Sequence, residues 1–150
     1  MKHTMHSGTG ASGGESVCYC TAARKAARLL TGLYDAAVAP GGLRITQFSL
    51  LNHLLRLGPT SISELSAAVL LERTTLMRNL NLLAKKRLVE IAPAAASKAH
   101  IVRLTDLGRE TLDQVRPLWE SAQQKTETLL TSQERHCLRR LASRLSSALP

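Results

Sequence analysis

Apolar residues recur every three or four positions in two neighbouring stretches near the middle of the chain. This spacing predicts two amphipathic helices, each with one buried face. Only a few residues separate the stretches, so the pattern predicts a helix-turn-helix. The two buried stripes consist of Ile62, Leu65 and Val69 in the first helix and Leu76, Leu80 and Leu83 in the second.

The opposite face of the second helix is polar. It carries hydroxyl, amide and guanidinium groups, which can hydrogen-bond to base edges when a helix lies in the major groove of DNA. An ordinary solvated helix face is the alternative interpretation of the same pattern. The residues on this face are Arg73, Thr74, Arg78, Asn79 and Asn81.

Two β-prone runs follow the second helix and favour DNA binding. The runs are 88–91 and 100–104, and the loop between them contains Pro93. Two short strands directly after a helix-turn-helix predict a β-hairpin "wing". From Arg73 to Arg103 there are seven Lys or Arg residues and one acid, Glu90, so this segment carries net +6 of the chain's +9. Such a basic patch favours binding to the phosphate backbone of a nucleic acid, because binding releases the counterions condensed on the phosphates.

Longer helices flank this centre. The pattern predicts helices over about 16–39, 46–57 and 106–130, and from 131 to the C-terminus, with capping boxes at Ser12-x-x-Glu15 and Thr131-x-x-Glu134. Pro117 should bend the third of these helices. The predicted fold is mainly α with a small β-hairpin wing. We expect a disordered tail over 1–14 and a single domain over 15–150, with a DNA-binding part (46–105) between dimerisation helices (15–45 and 106–150).

The flanking helices carry more apolar surface than this small centre can cover. A second copy of the chain would cover it, and a two-fold dimer would set two recognition helices about 34 Å apart, which matches a palindromic DNA site. An intramolecular helical bundle in a monomer is the alternative.

Composition narrows the function further. The chain has only four aromatic residues, which argues against a stacking platform for single-stranded nucleic acid and favours duplex DNA. No apolar run approaches a membrane span and the polar start lacks a signal-peptide core, so a cytoplasmic location is expected. No catalytic constellation is evident, because His3-x-x-His6 and His136-Cys137 have no partners at metal-ligand spacing. We therefore expect no enzyme activity, no cofactor and no metal.

The order of these elements resembles the MarR family of bacterial transcriptional regulators, from about Val17 to the C-terminus. The resemblance implies a homodimer that usually represses nearby genes and is released from DNA by a small molecule or an oxidant. It rests on five fragments in order: 46–51 (TQFSLL), Ile62-x-x-Leu65, 72–80 (ERTTLMRNL), 85–89 (KKRLV) and Leu104-Thr105-x-x-Gly108.

The resemblance also assigns roles to residues. It implies base contacts by Thr74, Thr75, Arg78 and Asn79, and phosphate contacts by Arg73 and Ser61. The family usually carries Asp-x-Arg at the wing tip, where this chain has 96–98 (ASK). Lys98 keeps the charge but lacks the planar fork of arginine, so weaker minor-groove readout is expected. Basic Arg103, in the second wing strand, is a further candidate for DNA contact.

Cysteines are the first candidates for sensing an effector. In this family the first and last helices pack together across the dimer, so the resemblance makes a bond from Cys18 or Cys20 to Cys137 conceivable. Residues two apart on a helix point in different directions and would not grip one metal ion. Nearby Arg24 and Lys25 could lower a thiol pKa. The alternative is that these small side chains only fill the dimer core.

An organic acid, bound between the DNA-binding and dimerisation parts, is the second candidate effector. Guanidinium groups would clamp its carboxylate, and a ring would face it. The alternative is that these side chains are solvated or structural. The candidate residues are Arg24, Arg28, Arg44, His53, Phe48 and Trp119.

Across function classes, the alternative to a specific regulator is an architectural protein that coats DNA without sequence preference.

Overall fold

Six helices and a three-stranded sheet make up the computed structural model, which describes residues 18–94 and 99–148. The helices are α1 (Tyr19–Val38), α2 (Ile45–Leu57), α3 (Ile62–Val69), α4 (Arg73–Lys85), α5 (Asp106–Leu129) and α6 (Ser132–Ala148), with a short 3₁₀ helix (Ala39–Gly41) after α1. The strands are β1 (Thr60–Ser61), β2 (Val89–Pro93) and β3 (His100–Leu104). The fold is therefore mainly α with a small β-hairpin wing, as the pattern predicts.

The helix boundaries agree closely with the sequence pattern. Helix α1 begins at Tyr19, three residues later than expected, and α2 begins at Ile45, one residue earlier. The expected capping box at Thr131 is present, since the Thr131 N–H donates to Glu134 Oε2 at 2.8 Å and the Glu134 N–H donates to Thr131 Oγ1 at 3.3 Å. The expected tail over 1–14 and the Ser12-x-x-Glu15 box lie outside the described residues.

The sheet contains one strand that the sequence pattern did not predict. Its order is β1-β3-β2 and both pairings are antiparallel, with Thr60 opposite Val102 and Glu90 opposite Arg103. The short strand β1 ties the start of α3 to the wing. The wing and the helix-turn-helix are therefore parts of one folded unit.

The core lies where α2, α3, α4, the wing and the middle of α5 meet. The predicted stripes of α3 and α4 face inward, although Val69 is only partly buried. Burial of each large side chain contributes about 2 kcal/mol to folding. The largest fully buried side chains are Val38, Leu50, Leu51, Leu54, Leu65, Leu76, Leu80, Leu83, Val89, Val102, Leu112 and Val115.

The outer ends of the molecule leave apolar surface uncovered. In α1 only Val38 is buried, and α6 has no buried residue at all within Ser132–Ala148. Leucines are exposed on both helices, and only another surface would bury them. Leu29 is exposed on α1, Leu138, Leu141 and Leu145 are exposed at helical spacing on α6, and Leu129 is exposed at the end of α5. No helix in the described part of the chain is both long and apolar enough to cross a membrane.

Candidate nucleic-acid interface and effector cleft

Helix α4 presents its polar face to solvent, as the sequence pattern predicts. Leu76, Leu80 and Leu83 anchor the helix and are fully buried. The side chains at 73, 74, 75 and 78 are exposed and begin at the helix N-terminus. The N-terminal residues of a recognition helix are those that reach base edges in helix-turn-helix proteins. This end of α4 therefore offers two guanidinium and two hydroxyl groups to a groove.

Two of the predicted contact residues already use their polar groups within the protein. The Asn79 side-chain amide donates to the Thr75 carbonyl at 2.9 Å, which leaves its oxygen as the free acceptor. Ser61 is the N-cap of α3: its hydroxyl donates to Glu64 Oε2 at 2.8 Å and accepts from the Glu64 N–H at 3.2 Å. Hydrogen bonds to the Glu64 carboxylate lower its pKa, chiefly the bond from the Ser61 backbone N–H at 2.9 Å, followed by those from the Ser61 and Thr60 hydroxyls. Ser61 would have to give up part of this cap to hold a phosphate.

An ion pair across the wing holds Arg103. Glu90 lies directly opposite it, and Glu90 Oε2 lies 2.7 Å from Arg103 Nε and 2.5 Å from Arg103 Nη2. Both side chains are more than half exposed. The carboxylate of Glu90 on β2 therefore offsets the positive charge of Arg103 on the neighbouring strand β3. Lys98, at the wing tip, lies outside the described residues.

The junction between the wing and α5 explains one fragment of the sequence, Leu104-Thr105-x-x-Gly108. The Thr105 hydroxyl donates to the Arg87 carbonyl at 2.7 Å and accepts from the Gly108 N–H at 3.0 Å, so it caps α5. A Cβ on Gly108 would lie 2.2 Å from the carbonyl oxygen of Leu88, so only glycine fits. The wing is thereby fixed to the first turn of α5.

The C-terminal end of α4 is tied to the linker between α1 and α2. The Lys86 ammonium donates to the Gly42 carbonyl at 2.5 Å. Gly42 adopts a left-handed backbone conformation, with φ of 73°, which suits glycine. One of the cations of the basic patch therefore already has a partner inside the protein.

A cleft of about 300 Å³ lies between α1, α2 and α5. Phe48 and Trp119 form an aromatic wall, with ring centroids 5.7 Å apart and planes at 23°. The Tyr34 hydroxyl donates to Gln123 Oε1 across the cleft. The volume is at the lower end of the range for small-molecule sites. The lining residues are Tyr34, Ile45, Phe48, Ser49, Asn52, Trp119 and Gln123.

The predicted basic residues do not line this cleft. Arg24 and Arg28 are exposed on the first half of α1. Arg44 lies at the rim, where its guanidinium is 3.9 Å from the Asp35 carboxylate. His53 Nδ1 is 2.8 Å from the Ser49 carbonyl, so its ring is turned toward the backbone. Of the six candidate pocket residues, the structure brings Phe48 and Trp119 together at the cleft.

Sequence reasoning missed the polar lining. Ile45, Phe48, Ser49 and Asn52 follow the i, i+3, i+4, i+7 spacing of a single helix face. The polar members of this stripe interrupt an otherwise apolar face, and that interruption was the available signal.

All three cysteines are free thiols and are exposed. Cys18 is the N-cap residue of α1, and Cys20 lies in its first turn, so the two straddle the helix start. The Thr21 backbone N–H, followed by the Thr21 hydroxyl, favours the thiolate and lowers the pKa of Cys18, although the sulfur makes no full capping hydrogen bond. Cys137 lies in α6 beside Leu138 and Arg140.

Comparison with known proteins identifies the fold. A family model described as "MarR family" matches residues 41–99, from the linker after α1 to the start of the second wing strand. The structure of the transcriptional regulator MosR from M. tuberculosis in complex with DNA is 36% identical, with a TM-score of 0.77, and the match covers 87% of this chain and 95% of MosR. The chain belongs to the MarR family.

MarR-family membership makes this chain a DNA-binding transcriptional regulator and not an enzyme. A second structure of MosR from M. tuberculosis is 35% identical over 89% of this chain and 96% of that one, with a TM-score of 0.76. A cysteine-to-serine variant of MarR from E. coli with operator DNA shares the fold, at 24% identity over 86% of this chain and 91% of that one, with a TM-score of 0.73. No curated protein sequence matches the chain.

Proposed function

We propose that this MarR-family chain is a homodimeric repressor that binds a palindromic operator and is released by a small effector. The exposed polar N-terminal end of α4 carries the proposal, because Arg73, Thr74, Thr75 and Arg78 stand on a fully buried leucine stripe. That stripe holds the helix rigidly, so the polar groups are pre-organised for a groove. The DNA-bound MosR structure supports the same use of the fold.

The uncovered leucines of α1 and α6 support the homodimer. A helix with no buried residue, such as α6, gains little stability from propensity alone in a single chain. Packing α1 and α6 against the same helices of a second copy would bury these leucines and place two α4 helices on one face of DNA. The palindrome then follows from the two-fold symmetry of the protein.

The position of α2 supports coupling between an effector and DNA. Ile45 and Ser49 of α2 line the cleft on one side and a second hollow of about 220 Å³ on the other. That second hollow ends at Leu71, which directly precedes the N-cap of α4. A ligand that displaces α2 would therefore act on the turn that leads into the recognition helix.

Binding to the chain's own promoter region tests the proposal. We expect the purified protein to bind this duplex as a dimer and to prefer it over random duplex by about 10³-fold or more. Fluorescence anisotropy with excess competitor DNA measures the preference, and sedimentation measures the stoichiometry. High salt sensitivity without preference for the promoter would instead indicate the architectural alternative.

Glu90→Gln should strengthen DNA binding. Removing the carboxylate frees Arg103 for a phosphate and removes a negative charge from the basic face, so the slope of log Kd against log salt should steepen by about one. Salt titrations of wild type and variant measure this slope. Glu120→Gln, which removes an exposed acid from α5, is the matched control and should leave the slope unchanged. A slope in Glu90→Gln equal to that of wild type would mean that Arg103 does not contact DNA.

A thiol-reactive effector has one specific observation in its favour, the lowered pKa of Cys18 at the start of α1. The thiolate is the reactive form, and a lower pKa means that more of it is present at neutral pH. We expect iodoacetamide to alkylate Cys18 with a pH midpoint below the ordinary value of about 8.5. Peptide mass spectrometry after timed alkylation measures this midpoint at each cysteine.

The promoter-binding assay, repeated with oxidised protein, decides whether the thiols control DNA binding. We expect mild oxidant or polysulfide to release wild-type protein from promoter DNA, and Cys18→Ser to remain bound. Cys20→Ser and Cys137→Ser identify the partner sulfur, if there is one. Release of all three variants to the same extent as wild type would remove the cysteines from the mechanism.

A further inference from the structure

The cleft between α1, α2 and α5 is lined without a single ionised side chain. Its seven lining residues are aromatic, aliphatic, hydroxyl or carboxamide in character. The hydroxyl of Tyr34 already donates a hydrogen bond to Gln123 Oε1. A carboxylate that entered this cleft would give up part of its hydration without gaining a cation from the lining residues, which disfavours its binding.

The rim adds no net charge to the cleft. Arg44 precedes Ile45, but its guanidinium faces Asp35 at 3.9 Å. The Asp35 carboxylate also accepts from the Ile45 N–H at 2.7 Å, so it is held in place at the start of α2. An anionic ligand near this rim would meet the carboxylate as well as the guanidinium.

Several hydrogen-bonding groups in the cleft are not used by the protein. Among the described residues, the Ser49 hydroxyl and the Asn52 carboxamide have no side-chain partner, and Gln123 uses only its oxygen. The Gln123 amide N–H groups therefore remain as donors, and Asn52 supplies both a donor and an acceptor. These groups lie beside the Phe48–Trp119 wall. The cleft thus combines an aromatic wall with neutral donors and acceptors.

We propose that this cleft binds an uncharged, planar aromatic ligand whose polar edge both donates and accepts hydrogen bonds, such as an aromatic carboxamide, and that it rejects the matching carboxylate. The inference rests on the proposed effector-released regulator and names the chemical class of that effector. Asn52 is the specificity-determining residue, because its carboxamide pairs with a neutral amide and offers no charge to a carboxylate. The ring of the ligand packs against the aromatic wall.

Trp119 makes the test direct, because it is the only tryptophan in the chain and it lines the cleft. The probes are naphthalene-2-carboxamide and naphthalene-2-carboxylate at neutral pH, titrated against the full chain by tryptophan fluorescence. We expect the carboxamide to bind at least about 10-fold more tightly than the carboxylate. We expect Asn52→Leu to weaken carboxamide binding by about 10-fold or more, since it removes the paired group. Gln124→Leu, an amide substitution at an exposed neighbouring position on α5, is the control and should bind as wild type does.

Equal or tighter binding of the carboxylate, or no quenching by either probe up to the solubility limit, would overturn the proposal. Asn52→Arg supplies a second test that does not depend on loss of binding. It should reverse the preference toward the carboxylate, and an unchanged preference would also overturn the proposal. Promoter binding, measured separately without probe, distinguishes failure of the proposed ligand class from failure of the proposed function. Loss of the carboxamide preference with promoter binding intact refutes the ligand class alone, whereas absence of promoter binding refutes the proposed function.

Discussion

Arg78→Ala should weaken binding to promoter DNA by about 10- to 100-fold, because a good bidentate contact to a base contributes about 1–3 kcal/mol. Arg78 is exposed one turn into α4, and its neighbours at 76 and 80 are fully buried. Its guanidinium is therefore held on the exposed face of a helix that cannot rotate without exposing the core. Anisotropy titrations on promoter and random duplex measure the loss in each.

The pattern of loss distinguishes what Arg78 contacts. A base contact predicts a fall in the preference for promoter over random duplex, whereas a phosphate contact predicts equal weakening on both and a salt slope smaller by about one. Lys125→Ala removes the same unit of charge from an exposed position on α5 and is the control for net charge. Promoter affinity in Arg78→Ala equal to that of Lys125→Ala would refute the assignment of α4 as the recognition helix.

Leu141→Glu should convert the proposed dimer to a monomer at concentrations where we expect wild type to be fully dimeric. Leu141 is 53% exposed on α6 within the single chain, so the change should not disturb folding of the protomer. In a dimer interface the carboxylate would be desolvated without a partner, which costs several kcal/mol and raises the dimer dissociation constant by more than about 100-fold. Analytical ultracentrifugation measures this constant.

The control for that variant is another exposed leucine. Leu107 is 46% exposed but lies in the first turn of α5, where a negative charge suits the helix dipole. Leu107→Glu should remain dimeric and keep its thermal unfolding temperature. A dimeric Leu141→Glu protein would show that the α6 stripe is not the interface and would favour the bundle alternative.

The helix-turn-helix could be predicted from sequence because its signal is local. The spacing of Leu76, Leu80 and Leu83 determines which face of α4 is buried, and the structure confirms it. Strand β1 could not be predicted in this way. It has only two residues, and its pairing of Thr60 with Val102 joins positions far apart in the chain, so no local period marks it.

The candidate site was harder to predict than the fold. The structure places Phe48 and Trp119 at the cleft, and rings on apolar helix faces are conspicuous in a sequence. Gln123 carries no spacing signal, and the signal for Asn52 is only that it continues the stripe of Ile45, Phe48 and Ser49 on one face of α2. The arginines lie on segments that could line a cleft, and a guanidinium could clamp a carboxylate there. A sequence does not reveal the direction of a side chain, however, and Arg44 faces Asp35 instead.

The fixed junction of the wing with α5 has a mechanical consequence. Helix α5 has 24 residues and is therefore about 36 Å long, and Thr105 and Gly108 weld its first turn to the wing. Tilted as one rigid rod by about 10° about its far end, where Leu129 is exposed, it would carry the wing end through about 6 Å, close to the rise of two base pairs. A ligand beside α5 that produced a tilt of this size would take a recognition helix out of step with its half-site.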